Sequence, residues 1–530
     1  MVNIVQVSVT QTIGMTPATL QQSGALISQG GTTNSVGAVS LLTQLSDLTP
    51  LLTPAKAITS AVLSGGTVTV TTTSAHGFAV GLQAYLTIAG VTPAGYNGTF
   101  LCTSTGTSTF TYSLSGSLAS GTGGTYIPES VAELTAMATT FFAQGSGLSV
   151  YVLELGTGTP ADGVTTLTAY ITANPNSNYT PGAAGYFYAY LVPRRWDGLS
   201  SYLTMLASFE STTARTYFFT TSTLATYTAY TNLEKCAFVT IESPSIGAYP
   251  ANVLTAATYS GGIVTASTTT AHGVVAGNYF TISGCTPAGY NGTFLALAGT
   301  TGSTLVYAPL SALGSLTIAG TLVASLYANT GAPATEFGSA AMLWRLLNYN
   351  PSAANLVAPF AFGYLSGVTP FPTRGQNALL STLKTANINI VGTGAEGGIS
   401  NTIVLWGTTM DGHDMTYWYS VDWVQINADE AIANAIINGS NNSQNPLYYD
   451  QNGINRLQAV AQQVMRNAIA FGLALSPVTV TAVPFAQYVV QNPTDYPAGI
   501  YRGLAVTYTP QRGFIQIVFY VNVSAFPTAG

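Results

Sequence analysis

Charged residues are scarce in this chain. Its 530 residues include 12 Lys and Arg and 18 Asp and Glu, so that 6% are charged, against roughly 25% in an average soluble protein. The net charge is −6, and no basic cluster is larger than the pair Arg194-Arg195. Because nucleic-acid binding needs a basic patch to neutralise phosphates, we expect no nucleic-acid partner.

A surface this poor in charge favours assembly. Such a surface loses little hydration when another protein covers it, and the centres of protein interfaces are depleted of charge and rich in aromatic residues. The 31 Tyr and 21 Phe of the chain fit this interpretation. The alternative is a β-rich chain that simply uses Thr and Tyr in its strands.

Cysteines and membrane segments are also few or missing. Cys102, Cys236 and Cys285 are widely spaced and odd in number, which excludes a disulfide framework. Mean hydropathy is +0.34, yet Pro477 and Pro484 interrupt the uncharged stretch 467–486, and a spanning helix needs about 20 mostly apolar residues. No basic region precedes an apolar one at the start, so we expect no signal peptide and no membrane insertion.

No catalytic constellation is apparent. The glycines at 392, 394 and 397 match a dinucleotide fingerprint, but a strand is predicted after them where pyrophosphate binding requires a helix, which favours a turn. His413 stands between Asp411 and Asp414 without the second histidine or further carboxylate that a metal or acid–base site would need. A turn is favoured here too, and a hydrolase built around His413 is the alternative. We expect no enzyme, no cofactor and no metal.

One segment of the chain occurs twice. Residues 64–66, 75–77 and 92–100 return at 260–262, 271–273 and 286–294. Two copies are too few for a solenoid, so we interpret them as two homologous inserted modules: module 1 at 57–126 and module 2 at 252–326. Alternating strands and the pair Asn97-Gly98 predict small all-β domains. We interpret His76 and His272 as turn residues; in a competing hypothesis of a glycan-binding adhesin, Tyr96 and Tyr290 would be stacking platforms.

The host of these modules has a different pattern. Strands and helices alternate between and after the modules, which predicts an α/β host with a parallel sheet. The predicted elements include a helix opened by a Ser130–Glu133 capping box, a helix at 223–231, a helix capped at Asn427, and an amphipathic helix at 454–471. The predicted divisions are an arm and start of the core at 1–56, module 1, an α/β domain at 127–251, module 2, and a C-terminal core with a strand arm at 327–530.

The two chain ends are predicted to be strands that need partners. Residues 3–9 alternate without a local partner, and residues 514–523 alternate after a strand at 504–508. Such a strand is not stable alone, so it must pair within this chain or with another.

Several runs of the host resemble the contractile phage (myovirus-type) tail sheath family. They are 141–144 before a strand, 340–351, 383–389, and 407–413 followed by 421–423, and the likeness is strongest in the last 200 or so residues. The modules resemble the Ig-like decorations of phage structural proteins. The resemblance implies a multidomain α/β (α+β) fold, with a sheath-type core into which two small all-β (Ig-like) modules are inserted.

The resemblance also implies a function. Sheath subunits form six-fold rings that stack helically around a tail tube, exchange terminal strands, and contract to drive the tube through the host envelope during genome ejection. The residues that the resemblance implies in strand exchange between subunits are Asn3, Ile4, Val5, Gln6, Val7, Ser8, Val9, Ile515, Ile517, Phe519, Val521 and Val523. The implied partners are further copies of the chain, the tube protein, the baseplate and the tail terminator, in a virion whose tail is assembled in the host cytoplasm. Arg456 and Arg466 are candidates for tube contact, although a solvated helix face explains them equally. Another tail or virion structural protein is the alternative.

Overall fold

The computed structural model describes residues 17–114, 117–210, 215–224, 226–230, 235–242, 252–268, 274, 279–301, 303–309, 312–324, 336–371, 377–394 and 401–514. They divide into two compact units. Unit 1 comprises the described residues of Met1–Asn350 and Gly363–His413, and unit 2 those of Pro351–Phe362 and Asp414–Gly530. The predicted strand residues 3–9 and 515–523 lie outside the described part.

The strands are numbered in chain order. They are β1 Gly24–Ser28, β2 Val39–Leu42, β3 Lys56–Ser64, β4 Thr67–Thr72, β5 Gln83–Ala89, β6 Gly98–Ser104, β7 Thr109–Ser113, β8 Gly121–Thr122, β9 Thr125–Pro128, β10 Val150–Glu154, β11 Ala189–Leu191, β12 Tyr217–Ser222, β13 Ala237–Ile241, β14 Asn252–Ser260, β15 Ile263–Thr268, β16 Tyr279–Ser283, β17 Gly292–Leu295, β18 Thr304–Tyr307, β19 Thr321–Ala324, β20 Asn389–Thr393, β21 Thr402–Leu405, β22 Ala474–Ala482 and β23 Leu504–Pro510. The α-helices are α1 Glu129–Phe142, α2 Pro160–Ala173, α3 Ser200–Glu210, α4 Gly338–Leu347, α5 Asn377–Thr385, α6 Met415–Ser440, α7 Gln451–Ala470 and α8 Phe485–Gln491.

An eight-stranded sheet forms the core of unit 1, in the order β2-β10-β1-β11-β12-β13-β20-β21. All neighbours from β10 to β20 are parallel, and β2 and β21 add antiparallel at the two edges. The predicted parallel α/β sheet is therefore confirmed. Its central strands are continuous buried runs, because helices cover both faces of such sheets; every residue of β1, β10, β12 and β13 is buried.

Two local predictions in unit 1 are wrong. Helix α1 begins at Glu129 after Pro128, with no side-chain cap, and Glu133 accepts a hydrogen bond from the Arg194 amide, 2.7 Å away, instead of closing a capping box. The predicted helix at 223–231 is only a short 3-10 turn at Tyr227–Tyr230 among the described residues. Thr223 and Thr226 instead bond to Asp197, which holds this stretch as a loop.

Module 1 is an antiparallel sheet whose strands follow the order β4-β7-β6-β5-β9-β3-β8. Because β4 also pairs with β3, six of these strands close into a ring around a buried core that includes Val70, Leu86, Tyr96 and Phe110. The all-β character is as predicted, whereas the Ig-like detail is not confirmed.

Module 2 repeats this arrangement. Its order β17-β16-β19-β14-β15-β18 reproduces β6-β5-β9-β3-β4-β7 of module 1, strand for strand. Tyr290 takes the place of Tyr96 in the core. The internal sequence repeat thus corresponds to a repeat of strand order.

Unit 2 contains two long helices and a two-stranded sheet. Helix α6 is capped by Asp414, whose side chain accepts from the Thr416 amide; the predicted cap at Asn427 is wrong, because its side-chain amide donates to the Trp423 carbonyl inside the helix. Helix α7 is the predicted amphipathic helix. It stops before Gly472, which adopts φ +73°, a left-handed conformation that favours glycine.

Candidate assembly surface

The two-stranded sheet of unit 2 is made by β22 and β23. We call this pair the ribbon. The antiparallel register runs from Ala474 opposite Pro510 to Ala482 opposite Leu504, with an irregularity between Leu475 and Thr479. Pro477 lies in that irregular stretch, as expected of a residue without an amide hydrogen to give to a ladder.

The two faces of the ribbon differ. Val478, Val480 and Ala482 of β22 are half-buried, while Thr479 and Thr481 between them are exposed. Strand β23 alternates in the same way, with Leu504, Val506 and Tyr508 half-buried and Ala505, Thr507 and Thr509 exposed. This period of two is typical of a strand pair with one covered face.

Helix α7 supplies part of that cover. Its buried side chains Ile454, Ala461, Val464, Met465 and Ala468 recur at helical spacing. The Gln458 side-chain amide donates to the Val480 carbonyl over 3.0 Å, which joins the helix to β22. The side chains of Val478, Val480, Leu504, Val506 and Tyr508 nevertheless remain only half-buried.

Both outer edges of the ribbon are open in the part of the chain that the structure describes. Strands β22 and β23 pair only with each other there. An isolated two-stranded sheet is marginal in water, and three strands or a helix cover are needed for stability. Backbone groups along an open edge are a ready template for a further strand. The ribbon therefore has the chemistry of a strand acceptor.

The sequence-predicted donors cannot be placed against this acceptor. Residues 3–9 and 515–523, which include all twelve candidate exchange residues, lie outside the described part. Residues 511–514 connect β23 to the second of these segments along the chain. The first of them is held beside the ribbon, since the Gln511 amide donates to the Leu473 carbonyl over 2.9 Å. Strand exchange between subunits stays a prediction.

The two candidate tube-contact arginines occupy different settings on α7. The Arg456 guanidinium donates to the Pro446 carbonyl over 2.8 Å and is half-buried. Arg466 is exposed and bonds to the Gln463 side chain three residues earlier, with the shorter distance 2.6 Å. Contact of either residue with a tube stays a prediction.

The candidate catalytic features are built into turns. The Asp411 carboxylate contacts both the His413 ring, over 2.9 Å, and the His413 amide, over 3.0 Å. Gly412 between them has φ +81°, and the Thr409 amide donates to the His413 carbonyl, which closes the loop. Gly392 lies within β20 and pairs with Ile403, and Gly394 follows that strand, with its amide donating to the Asn401 carbonyl. The strand predicted after the glycines is confirmed as β21, while Gly397 lies outside the described residues.

The tyrosines of the adhesin hypothesis are core residues. Tyr96 and Tyr290 both have 0% of their surface exposed, and their hydroxyls donate to the carbonyls of Ala119 and Gly314. They cannot act as stacking platforms for a sugar, so that assignment is wrong. His76 bonds the Thr109 carbonyl and the Phe78 amide, as expected of a turn residue; His272 lies outside the described residues.

Other classes of site receive no support from the described residues. Among them, no group of three or more His, Cys, Asp or Glu side chains is placed to hold a metal ion. None of the helices described combines the length and apolarity that crossing a membrane requires. Cys102, Cys236 and Cys285 are buried free thiols, and burial raises the pKa of Cys102 and of Cys285.

Comparison with known proteins gave one kind of match. No protein-family model matches the chain, and no curated protein does. Among solved structures, the chain is similar to a sheath tail protein from Listeria innocua, with 7% identity and a TM-score of 0.37, over 95% of this chain and 96% of that one.

Proposed function

We propose that this protein is the structural subunit of a contractile phage tail sheath, which polymerises around a tail tube and contracts to drive it through the host envelope. The observation that carries the proposal is the ribbon: two strands on a helix, with apolar side chains half-covered and both edges open among the described residues. The complementary half is the strand predicted from sequence at 3–9, whose alternation has no predicted partner nearby in the sequence.

Strand addition between copies explains both halves together. Main-chain hydrogen bonds to an open edge give affinity, and alternating side chains set the register. A contact in which one copy donates and the next accepts does not close on itself unless the rotation closes, so it propagates into rings or helices. In a chain of which only 6% of the residues are charged, covering surface in this way costs little hydration.

Contraction is the finer part of the proposal. Joined strands would act as hinges while the eight-stranded bodies move as rigid units between two packings. The tube, the baseplate and the tail terminator are proposed partners on the strength of the sequence resemblance. No catalytic step is part of the proposed function.

Deleting residues 1–12 tests the donor role. We expect folded monomers or short rings in place of long polymers, measured by electron microscopy and sedimentation velocity. The deleted chain keeps the ribbon that accepts a strand but lacks the strand to donate. It should therefore also shorten wild-type polymers when the two chains are mixed. Polymers of wild-type length from the deleted chain would contradict strand exchange at this end.

A matched pair of variants separates a strand donor from a merely sticky segment. Val5→Asp with Val7→Asp changes one face of the predicted strand, and Gln6→Asp with Ser8→Asp places the same charges on the other face. We expect the first pair to block polymerisation and the second to permit it. Equal effects of the two pairs would argue against a strand that buries one face.

A further inference from the structure

Both inserted modules join the α/β sheet of unit 1 next to the same two residues, Arg194 and Arg195. They follow β11 in a short turn, Arg194–Trp196. Module 1 ends directly before Glu129, the first residue of α1, and module 2 lies between Glu242 and Glu336. The chain has only 12 Lys and Arg residues in 530, and two consecutive ones stand at this place.

Arg195 contacts module 1. Its guanidinium carbon lies 3.5 Å from the ring centroid of Tyr85 in β5, a distance at which a cation is attracted to the face of an aromatic ring. Its other partner is Glu129, with Nη2 2.9 Å from Oε1. The two charged side chains are 25% and 27% exposed, so water reaches this contact.

Arg194 contacts the two ends of the module 2 insertion. Its Nη2 lies 2.5 Å from the Glu242 carboxylate, before the module, and 2.5 Å from the Glu336 carbonyl oxygen, after it. Its guanidinium carbon is 3.9 Å from the ring centroid of Phe337. The Glu242 carboxylate also accepts from the Gly338 amide, which begins α4.

The ion pair between Arg194 and Glu242 is buried. The side chains of Arg194 and Glu242 are 6% and 1% exposed. A buried charge is retained in a fold only when it is paired and hydrogen-bonded, and here the pairing closes the base of a loop of nearly one hundred residues. The Arg194 amide in turn donates to Glu133 of α1 over 2.7 Å, so the turn that carries both arginines is also bonded to helix α1.

Module 1 meets the rest of unit 1 beside Arg195, where both polar residues and the prolines Pro128, Pro160 and Pro193 come together. A cavity of about 30 Å³ lies beside it, lined by residues that include Gln29, Tyr85, Glu129, Glu133 and Arg195. A space of this size takes a few water molecules at most. At this point Arg195 makes both an ionic contact, with Glu129, and a cation–π contact, with Tyr85 of module 1.

We propose that Arg194-Arg195 is a two-armed anchor in which Arg195 holds module 1 against the sheet and Arg194 holds the base of module 2, each arm being separately releasable. The anchor is independent of any tail function, because every contact in it lies within one chain. It gives the two homologous modules different attachments: a water-accessible one for module 1 and a buried one for module 2.

Spin-label distances test the two arms in the full-length protein. The reporters are Ser64→Cys and Ser260→Cys, which occupy the same exposed turn in the two modules, each paired with Thr204→Cys on α3. The three native thiols are buried and should not be labelled. Labelled chains are diluted with unlabelled protein, so that only distances within one chain are measured.

Arg195→Ala should at least double the width of the 64–204 distance distribution and leave 260–204 unchanged. Glu242→Gln, which removes the charge partner of Arg194 and keeps the side-chain shape, should have the reverse effect. Arg466→Ala, an exposed arginine on α7, is the control for the loss of one positive charge and should alter neither. Circular dichroism checks that each variant is folded.

Broadening of both distributions by one substitution would overturn the separate arms. Unchanged distributions in both variants would overturn the anchor itself, as would a wild-type 260–204 distribution already as broad as that of Glu242→Gln. None of these readouts depends on polymerisation, so failure of the anchor and failure of the proposed sheath function are distinguishable.

Discussion

The eight-stranded sheet of unit 1 and the ribbon of unit 2 follow opposite designs. Central strands of the sheet are buried on both faces and have a strand on each side. The ribbon alternates half-buried and exposed residues, and each of its strands has one partner among the described residues. The interior strands of the sheet are thus completed within one chain, whereas both strands of the ribbon are edge strands, at which another chain can add.

Their polar groups differ in the same sense. At the end of β10, the buried Glu154 carboxylate accepts hydrogen bonds from both the amide and the hydroxyl of Thr32, from the Gly30 and Gly156 amides, and from the Ser28 hydroxyl. The ribbon strands carry no acidic or basic residue at all. In the sheet, hydrogen bonds to a buried carboxylate fix the loops that follow β1 and β10. In the ribbon, the exposed threonine side chains can bond to water or to a partner chain.

The largest expected effect is on the sheet. Glu154→Ala should lower the free energy of unfolding of unit 1 by about 3 kcal/mol or more, because several buried donors lose their acceptor together. Hydrogen exchange of β1 and β10 peptides at increasing urea concentrations measures this. Glu154→Gln keeps one acceptor oxygen and should cost less. A loss below about 1 kcal/mol for the alanine variant would mean that water satisfies these donors and that this end of β10 is not closed off from solvent.

Much of the sheet could be predicted from sequence because its elements have clear periods and lengths. Strands β10 to β13 are short apolar runs, the first three of them separated by the helical segments α2 and α3, and the amphipathic stripe of α7 is plain. Strand β1 was missed, since Gly24-Ala-Leu-Ile-Ser28 is buried throughout and has no alternation to detect. The start of helix α6 was predicted at Asn427, twelve residues after its true start at Met415. Apart from Gly439, its buried residues stop at Val424, so the second half of the helix resembles a separate helix with its own cap.

The acceptor half of the candidate site could not be predicted in the same way. Alternation in 3–9 and in 504–508 is visible in the sequence, so strands needing partners were expected at the chain ends. Strand β22 was missed because Pro477 interrupts it and Leu475, Ser476 and Pro477 are all exposed. That an edge is open depends on which strands come together in three dimensions, and no local pattern records it.

A pH-dependent difference should sharpen the comparison further. Burial, reinforced by the nearby charge of Glu129, raises the pKa of Glu133 from 4.5 to about 7. Between those values the folded state holds a proton that the unfolded chain has released, so stability falls as pH rises through this window and levels off above it. The total loss should reach about 3 kcal/mol.

Glu133→Gln isolates that contribution, since the amide oxygen can still accept from Arg194 and other ionisable groups are unchanged. The difference in unfolding free energy between wild type and variant should shift in favour of the variant from pH 4.5 to pH 7. Amide hydrogen exchange in peptides of the ribbon should show no pH-dependent difference between wild type and Glu133→Gln. A pH-independent difference in α1 peptides would show that Glu133 remains ionised throughout.

The smallest effects are expected in the ribbon, where neighbouring residues face opposite ways. Val480→Ala should cost unit 2 about 1 kcal/mol, because the side chain is half-buried over α7, and Thr481→Ala should stay within about 0.5 kcal/mol, as for most exposed positions. Hydrogen exchange of the 474–482 peptide measures both. If the isolated chain loses as much from Thr481→Ala as from Val480→Ala, the second face is already covered and the contrast with the sheet fails. If the order is as expected, the 474–482 peptide should gain protection on polymerisation of the wild type. It should not gain protection when residues 1–12 are deleted, because in the proposed assembly the added strand bonds to the outer amides of β22.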